Sequence, residues 1–299
     1  MATPSDLLDP GALARIGHLE LIAREVVEGF LRGLHRSPFK GSSVEFAEHR
    51  PYVPGDEIAH IDWRAYARTD RFYLREYEDE TNLRATVCLD ASASMGFGSA
   101  GLTKFRYAQC LAAALGMLLT KELDSVGLVV CGPIERRYLP PRSSAAHLRA
   151  YFAELDRARP EGGTALGPAL LAAAERVKRR ALAVVISDLL DDPGAILRGL
   201  ARFRSRDSQV ILFHVLDPAE LEFPFTGWTI FRDMEPPGRK VRLDGRAIRA
   251  AYLKNLEAHE ERIRKGCGSM SLDYCRIDTR TPFDRALARF LAHRRHWGR

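Results

Sequence analysis

The run Ala85-Thr86-Val87-Cys88-Leu89-Asp90, followed by Ala91-Ser92-Ala93-Ser94, constrains the fold more than any other part of the chain. Its apolar and β-branched residues read as a strand buried on both faces. A Gly-rich loop from Gly96 to Gly101 comes next, and then a long amphipathic helical pattern. Buried strand, turn and helix in that order open an α/β unit, and open α/β sheets bind ligands at the carboxyl ends of their strands. One carboxylate and two hydroxyls are therefore delivered together, on a loop where such sheets hold ligands.

The same pattern repeats to the end of the chain. A helix is predicted over residues 103–122, with Phe105, Ala108, Ala112, Leu115 and Leu119 on one face, and a buried strand over 126–131. A short edge strand over 135–139 and a helix over 145–155 follow. The sharp loop Glu161-Gly162-Gly163-Thr164 leads into a helix carrying Leu166, Leu170, Ala173 and Val177. A strand over 181–186 stops at Ser187-Asp188. A helix over 193–203, a strand over 209–215, a helix over 245–265, a strand over 272–277 and a helix over 282–293 complete the series. Aromatic and Gly/Pro-punctuated residues before Pro236-Pro237-Gly238 predict a hairpin insertion near 220–244. Strands alternating with helices give an α/β fold: a doubly wound, mostly parallel sheet with helices on both faces. This main domain is expected over 84–299.

Residues 1–83 read differently. Ile16, Leu19, Ala23, Val26, Phe30 and Leu34 fall on one face of a helix that Ser37-Pro38 ends. Residues 40–80 then interleave charges of both signs with Trp63, Tyr66, Phe72, Tyr73 and Tyr77, and Pro54-Gly55 suits a type II turn. A disordered tail would lack these aromatics. The expectation is a charged β arm of short strands packed on the main domain. Tyr, Trp and Arg also concentrate at protein contacts, so Arg50, Asp56, Asp62, Trp63 and Arg68 are candidate partner-binding residues.

The totals exclude several classes. A net charge of +6 is spread over Arg-rich helix faces with no recognition module, which argues against nucleic acid as the partner. The five cysteines lack C-x-x-C spacing, and Cys88 and Cys131 lie in apolar strand patterns, as buried thiols in a reducing compartment do. No signal-peptide pattern opens the sequence, and no window reaches the roughly 18 consecutive apolar residues of a membrane helix. A cytoplasmic protein with no membrane insertion is expected.

Asp90 and Asp188 each stand just past an apolar strand, and Thr164 stands behind two glycines. If these strands are neighbours at the switch point of the sheet, Asp90, Ser92, Ser94, Thr164 and Asp188 converge. Such an all-oxygen set suits Mg²⁺, with Mn²⁺ or Ca²⁺ as substitutes, and does not suit zinc. The hydroxyls are neutral and only two carboxylates are present. A divalent ion there stays under-neutralised and draws a carboxylate from outside, which is how a partner's Asp or Glu docks. The alternative is a Mg²⁺-dependent phosphotransferase or phosphatase using Asp90 as nucleophile. That chemistry usually wants a second carboxylate two residues on, where this chain has Ser92. The run Gly96-Phe97-Gly98-Ser99-Ala100-Gly101 formally matches a dinucleotide fingerprint, but Asp90 and the serines intervene between strand and glycines. No G-x-S-x-G elbow and no P-loop occurs. The bland alternative makes the hydroxyls helix caps and turn formers.

Asp-x-Ser-x-Ser after a first strand, Gly-Gly-Thr before a helix and Ser-Asp at a later strand end resemble the metal-ion-dependent adhesion site (MIDAS) of von Willebrand factor A domains. The resemblance implies a von Willebrand A-like fold in which Ser92, Ser94 and Thr164 touch the ion and Asp90 and Asp188 act directly or through water. Upstream, Glu45-Phe46, Arg50-Pro51-Tyr52, Pro54-Gly55-Asp56, Ile61-Asp62-Trp63 and Ala67-Arg68 resemble a bacterial family of uncharacterised proteins associated with MoxR-type AAA+ ATPases. That resemblance implies a non-catalytic adaptor or co-chaperone acting with such an ATPase on an unknown client protein. Many members have membrane helices, and this sequence departs from them. It departs again at Leu189, where many A domains carry Gly; Asp191 and Asp192 stand in reserve should Asp188 point away.

Overall fold

The computed structural model describes residues 10, 18–36, 50–51, 66, 72–74, 83–99, 101–132, 137–163, 165–235 and 239–294. They fall into two compact units, one comprising Met1–Gly33 with Leu83–Arg299 and the other Leu34–Asn82. The first helix, α1, spans Leu19–Arg36. In the smaller unit β1 (Arg50–Pro51) pairs antiparallel with β2 (Tyr73–Leu74), and Tyr66 stacks on Phe72 with ring centroids 4.4 Å apart. The Pro54-Gly55 turn lies outside the described residues.

The larger unit then runs β3 (Arg84–Asp90), α2 (Lys104–Lys121), β4 (Ser125–Cys131), β5 (Arg137–Arg142), α3 (Ala145–Arg157), α4 (Leu166–Arg176) and β6 (Leu182–Ser187). It continues through α5 (Pro193–Arg204), β7 (Gln209–Leu216), α6 (Pro218–Glu222), β8 (Trp228–Arg232), β9 (Lys240–Asp244), α7 (Gly245–Ser269), β10 (Asp273–Asp278) and α8 (Phe283–Arg294). The six-stranded sheet has the order β10-β7-β6-β3-β4-β5. All pairs are parallel except β4 with β5. From β3 the chain winds one way through β4 and β5; from β6 it winds the other way through β7 and β10. The winding reverses between β3 and β6, where doubly wound sheets open a crevice at their carboxyl ends.

The edge strand β5, described from Arg137, runs past the predicted end at 139 to Arg142 and carries Pro140-Pro141; residues 135 and 136 lie outside the described residues. Proline lacks the ladder donor and is tolerated on an edge. The hairpin insertion is β8 paired with β9. The short helix α6 has no periodic signal in the sequence; Asp217 caps it with a capping box and Pro218 opens it.

Both faces of the sheet are buried, as alternation along β3 shows. Ala85, Val87 and Leu89 enter a core built with α1, α2, α3 and α8. Cys88 enters the opposite core, built with α4, α5 and α7. This is why the central strands read as continuous apolar runs rather than alternating ones. All five cysteines are buried free thiols, and burial pushes Cys110 and Cys267 up to about 12. No helix among the described residues is long and apolar enough to cross a membrane.

Candidate functional site

Asp90 closes β3, and Ser187 closes β6, its neighbour across the switch point. Leu89 pairs with Ile186 in the last register of that ladder. One residue further, the Ser187 hydroxyl donates to Asp90 Oδ2 at 2.5 Å. The other oxygen, Oδ1, accepts the Ser92 N–H at 2.8 Å. After Asp90 the chain turns into a 3-10 turn over Ala93–Gly96, which folds the two hydroxyls together: Ser92 Oγ and Ser94 Oγ are 3.0 Å apart. Asp90, Ser92 and Ser94 are all buried, at 2%, 1% and 8% exposure.

The Gly-Gly loop is brought beside them by backbone bonds. Ala93 N–H donates to Gly162 O at 3.1 Å, and Glu161 N–H donates to Ala91 O at 3.1 Å. Gly162 has φ +78°, a left-handed conformation that L side chains rarely adopt. Thr164 lies outside the described residues; Gly163, just before it, does not. Gly98 has a packing role at the entrance to α2. A Cβ there would sit 2.5 Å from Leu102 O and 2.7 Å from Thr103 Cα, so the glycine permits close backbone approach at the helix entrance.

Asp188, the fifth candidate, is fully buried, but the sequence does not reveal its partner. Lys104, the first residue of α2, places its Nζ 2.8 Å from Asp188 Oδ2 and 2.6 Å from Glu220 Oε1 on α6. Burial works against the Lys104 charge, yet the Asp188 and Glu220 charges outweigh it and hold the ammonium above its usual range. Asp188 Oδ1 accepts the Leu190 N–H at 3.3 Å, and the Asp188 carbonyl lies 2.9 Å from His214 Nε2. Burial pulls His214 down to about 3, so this imidazole is neutral.

Leu189 resolves the departure noted in the sequence. It adopts φ +55°, the conformation that glycine takes without cost, with its side chain fully buried. Its N–H donates to Ser187 Oγ at 2.9 Å and its carbonyl is 2.8 Å from His259 Nε2. The loop thus keeps a glycine-like bend without glycine. Asp191 and Asp192, held in reserve by the sequence reading, both bond to the first turns of helices. Asp191 Oδ2 accepts from Gly167 N, and Asp192 Oδ2 caps α5 by accepting from Ala195 N at 2.7 Å.

The electrostatics of the cluster are uneven. Asp90 is pushed up to about 6 by burial first and by the Asp188 charge second, against the hydrogen bonds from Ser187 and Ser92. Three carboxylates, Asp90, Asp188 and Glu220, share the cluster with the Lys104 ammonium, while His214 carries no charge. A divalent cation would balance that excess. Among the described residues no three His, Cys, Asp or Glu side chains converge as a metal cluster, so any ion here relies on hydroxyl donors. Their spacing is compatible: neighbouring ligands of an octahedral Mg²⁺ at about 2.1 Å lie about 3.0 Å apart. An ordinary O–H···O bond spans the same distance. The charge excess, not the spacing, therefore argues for a cation.

The sequence reading brought Asp90, Ser92, Ser94 and Asp188 to the switch point, where the structure has them. It missed Lys104, Ser187, His214 and Glu220. Lys104 left a trace: a lysine opening a helix opposes the helix dipole, which favours anions at that end. Of the partner candidates, Arg50 contributes backbone to β1, while Asp56, Asp62, Trp63 and Arg68 lie outside the described residues.

Residues 48–262 match the family described as "Protein of unknown function DUF58". The uncharacterized protein Rv1480 of Mycobacterium tuberculosis strain H37Rv is 29% identical over 297 residues, covering 97% of this chain and 92% of that protein. The uncharacterized protein Mb1516 of Mycobacterium bovis matches to the same extent. Among solved structures, the conserved hypothetical protein BatB from Bacteroides thetaiotaomicron superposes with a TM-score of 0.50 at 18% identity, covering 71% of this chain and 98% of that one. The VWA domain of SpRpn10 gives 0.42 at 14% identity over 69% of this chain and 94% of that one. The sheet order and its antiparallel edge, with the BatB likeness, make the fold von Willebrand A-like.

Proposed function

This chain belongs to the DUF58 family of proteins of unknown function, and from that premise we propose that it is a metal-dependent protein-binding adaptor. Its switch-point cluster holds a divalent cation, Mg²⁺ first, and the cation docks a partner's Asp or Glu. Ser92 and Ser94 hold the ion, Asp90 and Asp188 balance its charge directly or through water, and Thr164 completes the set by family resemblance. The same resemblance names a MoxR-type AAA+ ATPase as the partner and an unknown client protein as the object of assembly or maturation. The carrying observation is the buried Asp90 carboxylate, raised by burial and by Asp188, beside two paired hydroxyls, one of which, on Ser94, belongs to the lining of a cavity. A cation supplies the charge that this carboxylate lacks and Lys104 gives to Asp188. The nucleophile alternative fits the geometry less well, because Asp90 is 2% exposed and both its oxygens already accept hydrogen bonds.

Mg²⁺ titration followed by thermal melting tests the ion. At a hundredfold excess over Kd, binding stabilises the folded state by about 2.7 kcal/mol, a rise of roughly 5–10 °C for a domain of this size. Replacing both Ser92→Ala and Ser94→Ala should remove most of that rise. An equal rise in wild type and double variant would move the ion elsewhere.

A further inference from the structure

Beside the hydroxyl pair lies a cavity of about 370 Å³ that shares Ser94 as a wall. That is toward the small end of ligand pockets, which span about 300–1,000 Å³, and gives room for a side chain or two rather than a helix. Five of its fourteen lining residues are aromatic; five are charged, with Lys104 and Glu220 inside and Arg232, Asp233 and Glu235 on the hairpin side. Phe223 packs against Tyr252 with ring centroids 4.6 Å apart, and Phe225 meets Phe231 edge-on at 5.3 Å. Phe223 adopts φ +45° with its ring 4% exposed, a left-handed conformation that is uncommon for a bulky residue. At the mouth stand Leu190 and Met234, 41% and 44% exposed. Met234 reaches back from the hairpin to the hydroxyl loop: a Cβ on Gly96 would lie 3.4 Å from its Cε. The floor includes Lys104 and Glu220, and Lys104 is shared between Glu220 and the buried Asp188.

We infer that this cavity receives an aromatic or large aliphatic side chain from the same partner segment whose Asp or Glu docks at the hydroxyl pair. The inference rests on the metal-docking reading and specifies its ligand: an extended stretch with an acidic residue and an apolar anchor a few positions apart. The lining favours this occupant over a wholly acidic one. The floor's ammonium is already shared by two carboxylates, Asp188 and Glu220, so it does not attract a further one, and the aromatic walls reward apolar area. Ser94 makes the two subsites continuous, so one segment spans both. The hairpin β8–β9 thus acts as a specificity element: it supplies Phe231 and lies next to Met234, while the strand-end loops supply the polar anchor.

Fluorescein-labelled decapeptides of Gly and Ser with a central Glu, and with Phe placed in turn at each position from three before to three after it, test the idea by anisotropy on the full chain in Mg²⁺. At least one Phe peptide should bind about tenfold or more tightly than the Glu-only peptide, and should lose binding with EDTA or with Gln for Glu. Met234→Ser and Phe231→Ala should erase the Phe preference while leaving the Mg²⁺-induced rise in melting temperature intact. That retained rise also verifies that the variants fold. Equal binding of Glu-only and Phe peptides overturns the anchor pocket and leaves the metal reading standing. A Phe preference indifferent to EDTA and to Gln overturns the joint ligand and the metal reading together. No binding by any peptide at millimolar concentration overturns the inference.

Discussion

The loops that follow β3 and β6 each bury an aspartate at the carboxyl end of the sheet, and they neutralise it by opposite means. After β6, Asp188 meets the Lys104 ammonium at 2.8 Å and shares it with Glu220. After β3, Asp90 receives a hydroxyl and a backbone N–H and, among the described residues, no countercharge, and is pushed up to about 6. Burial is nearly the same, 0% and 2%; at Asp90 it is the first cause of the rise and the Asp188 charge the second. A carboxylate with hydrogen bonds but no cation is stabilised only in part. The two loops therefore divide the labour: one is closed by the protein itself, and the other is left for a ligand to close.

The largest way to break this comparison is to remove the internal cation. Lys104→Met leaves Asp188 and Glu220 buried together without their ammonium. Unpairing a buried charge costs about 3–5 kcal/mol, which urea unfolding would register as a lowered midpoint. Added Mg²⁺ should recover part of the loss if the ion sits within reach of Asp188. A midpoint unchanged by Lys104→Met would mean that Asp188 is not charged in the folded protein, and the division of labour would fail.

The opposite change has the opposite sign. Asp90→Asn keeps an acceptor for the Ser92 N–H but removes the uncompensated charge. The folded carboxyl of Asp90 titrates at about 6 against 3.8 for its ordinary value, so the folded state binds the proton more tightly. Stability from this group is fully present below about pH 4 and is lost as pH rises through about 6. Without metal, the variant should gain on the order of 2–3 kcal/mol over wild type at pH 7 to 8, with the gain vanishing near pH 4. His214, drawn down to about 3 by burial, works the other way, losing stability as pH falls below its ordinary 6.5. It is common to both proteins and drops out of the difference. Asp90→Asn should also lose the Mg²⁺ response, so the site trades stability for binding. A variant less stable than wild type at pH 7 in EDTA would show that Asp90 is not under repulsion.

The contrast between the loops also explains what was legible beforehand. Strands announce their ends in sequence, because an apolar run stops at the residue that can face solvent or ligand; Asp90 and Asp188 were visible on that ground. The doubly wound, mostly parallel sheet followed from alternation of strands and helices, while the order of its strands came only from the pairing in the structure. Lys104 was hidden because its partners lie 84 and 116 residues away, and contacts at that separation leave no periodicity. Glu220 was hidden for the same reason and because α6 is too short to show a helical face. Ser187 looked like the tail of a strand, and only its register against β3 gives it a role. Leu189 marks a limit of residue-type reasoning: the loop has the bend that glycine permits, held by Ser187 and His259, on a leucine.

The smallest effect sharpens the comparison within the β6 loop itself. Asp192 is a third carboxylate beside Asp188, but it is 63% exposed at its side chain and caps α5 through Ala195 N–H at 2.7 Å. Its charge is already matched to the positive end of the helix, and it contributes nothing to the buried excess. Asp192→Ala should cost about 1 kcal/mol, the usual loss of a helix cap, and should leave both the Mg²⁺-induced rise in melting temperature and its pH dependence as in wild type. Thermal melts of Asp192→Ala and Asp90→Asn, each with Mg²⁺ and with EDTA, separate the two kinds of aspartate. If Asp192→Ala also lost the Mg²⁺ response, the ion would be held by the α5 end of the loop, and the buried carboxylate of β3 would need another explanation.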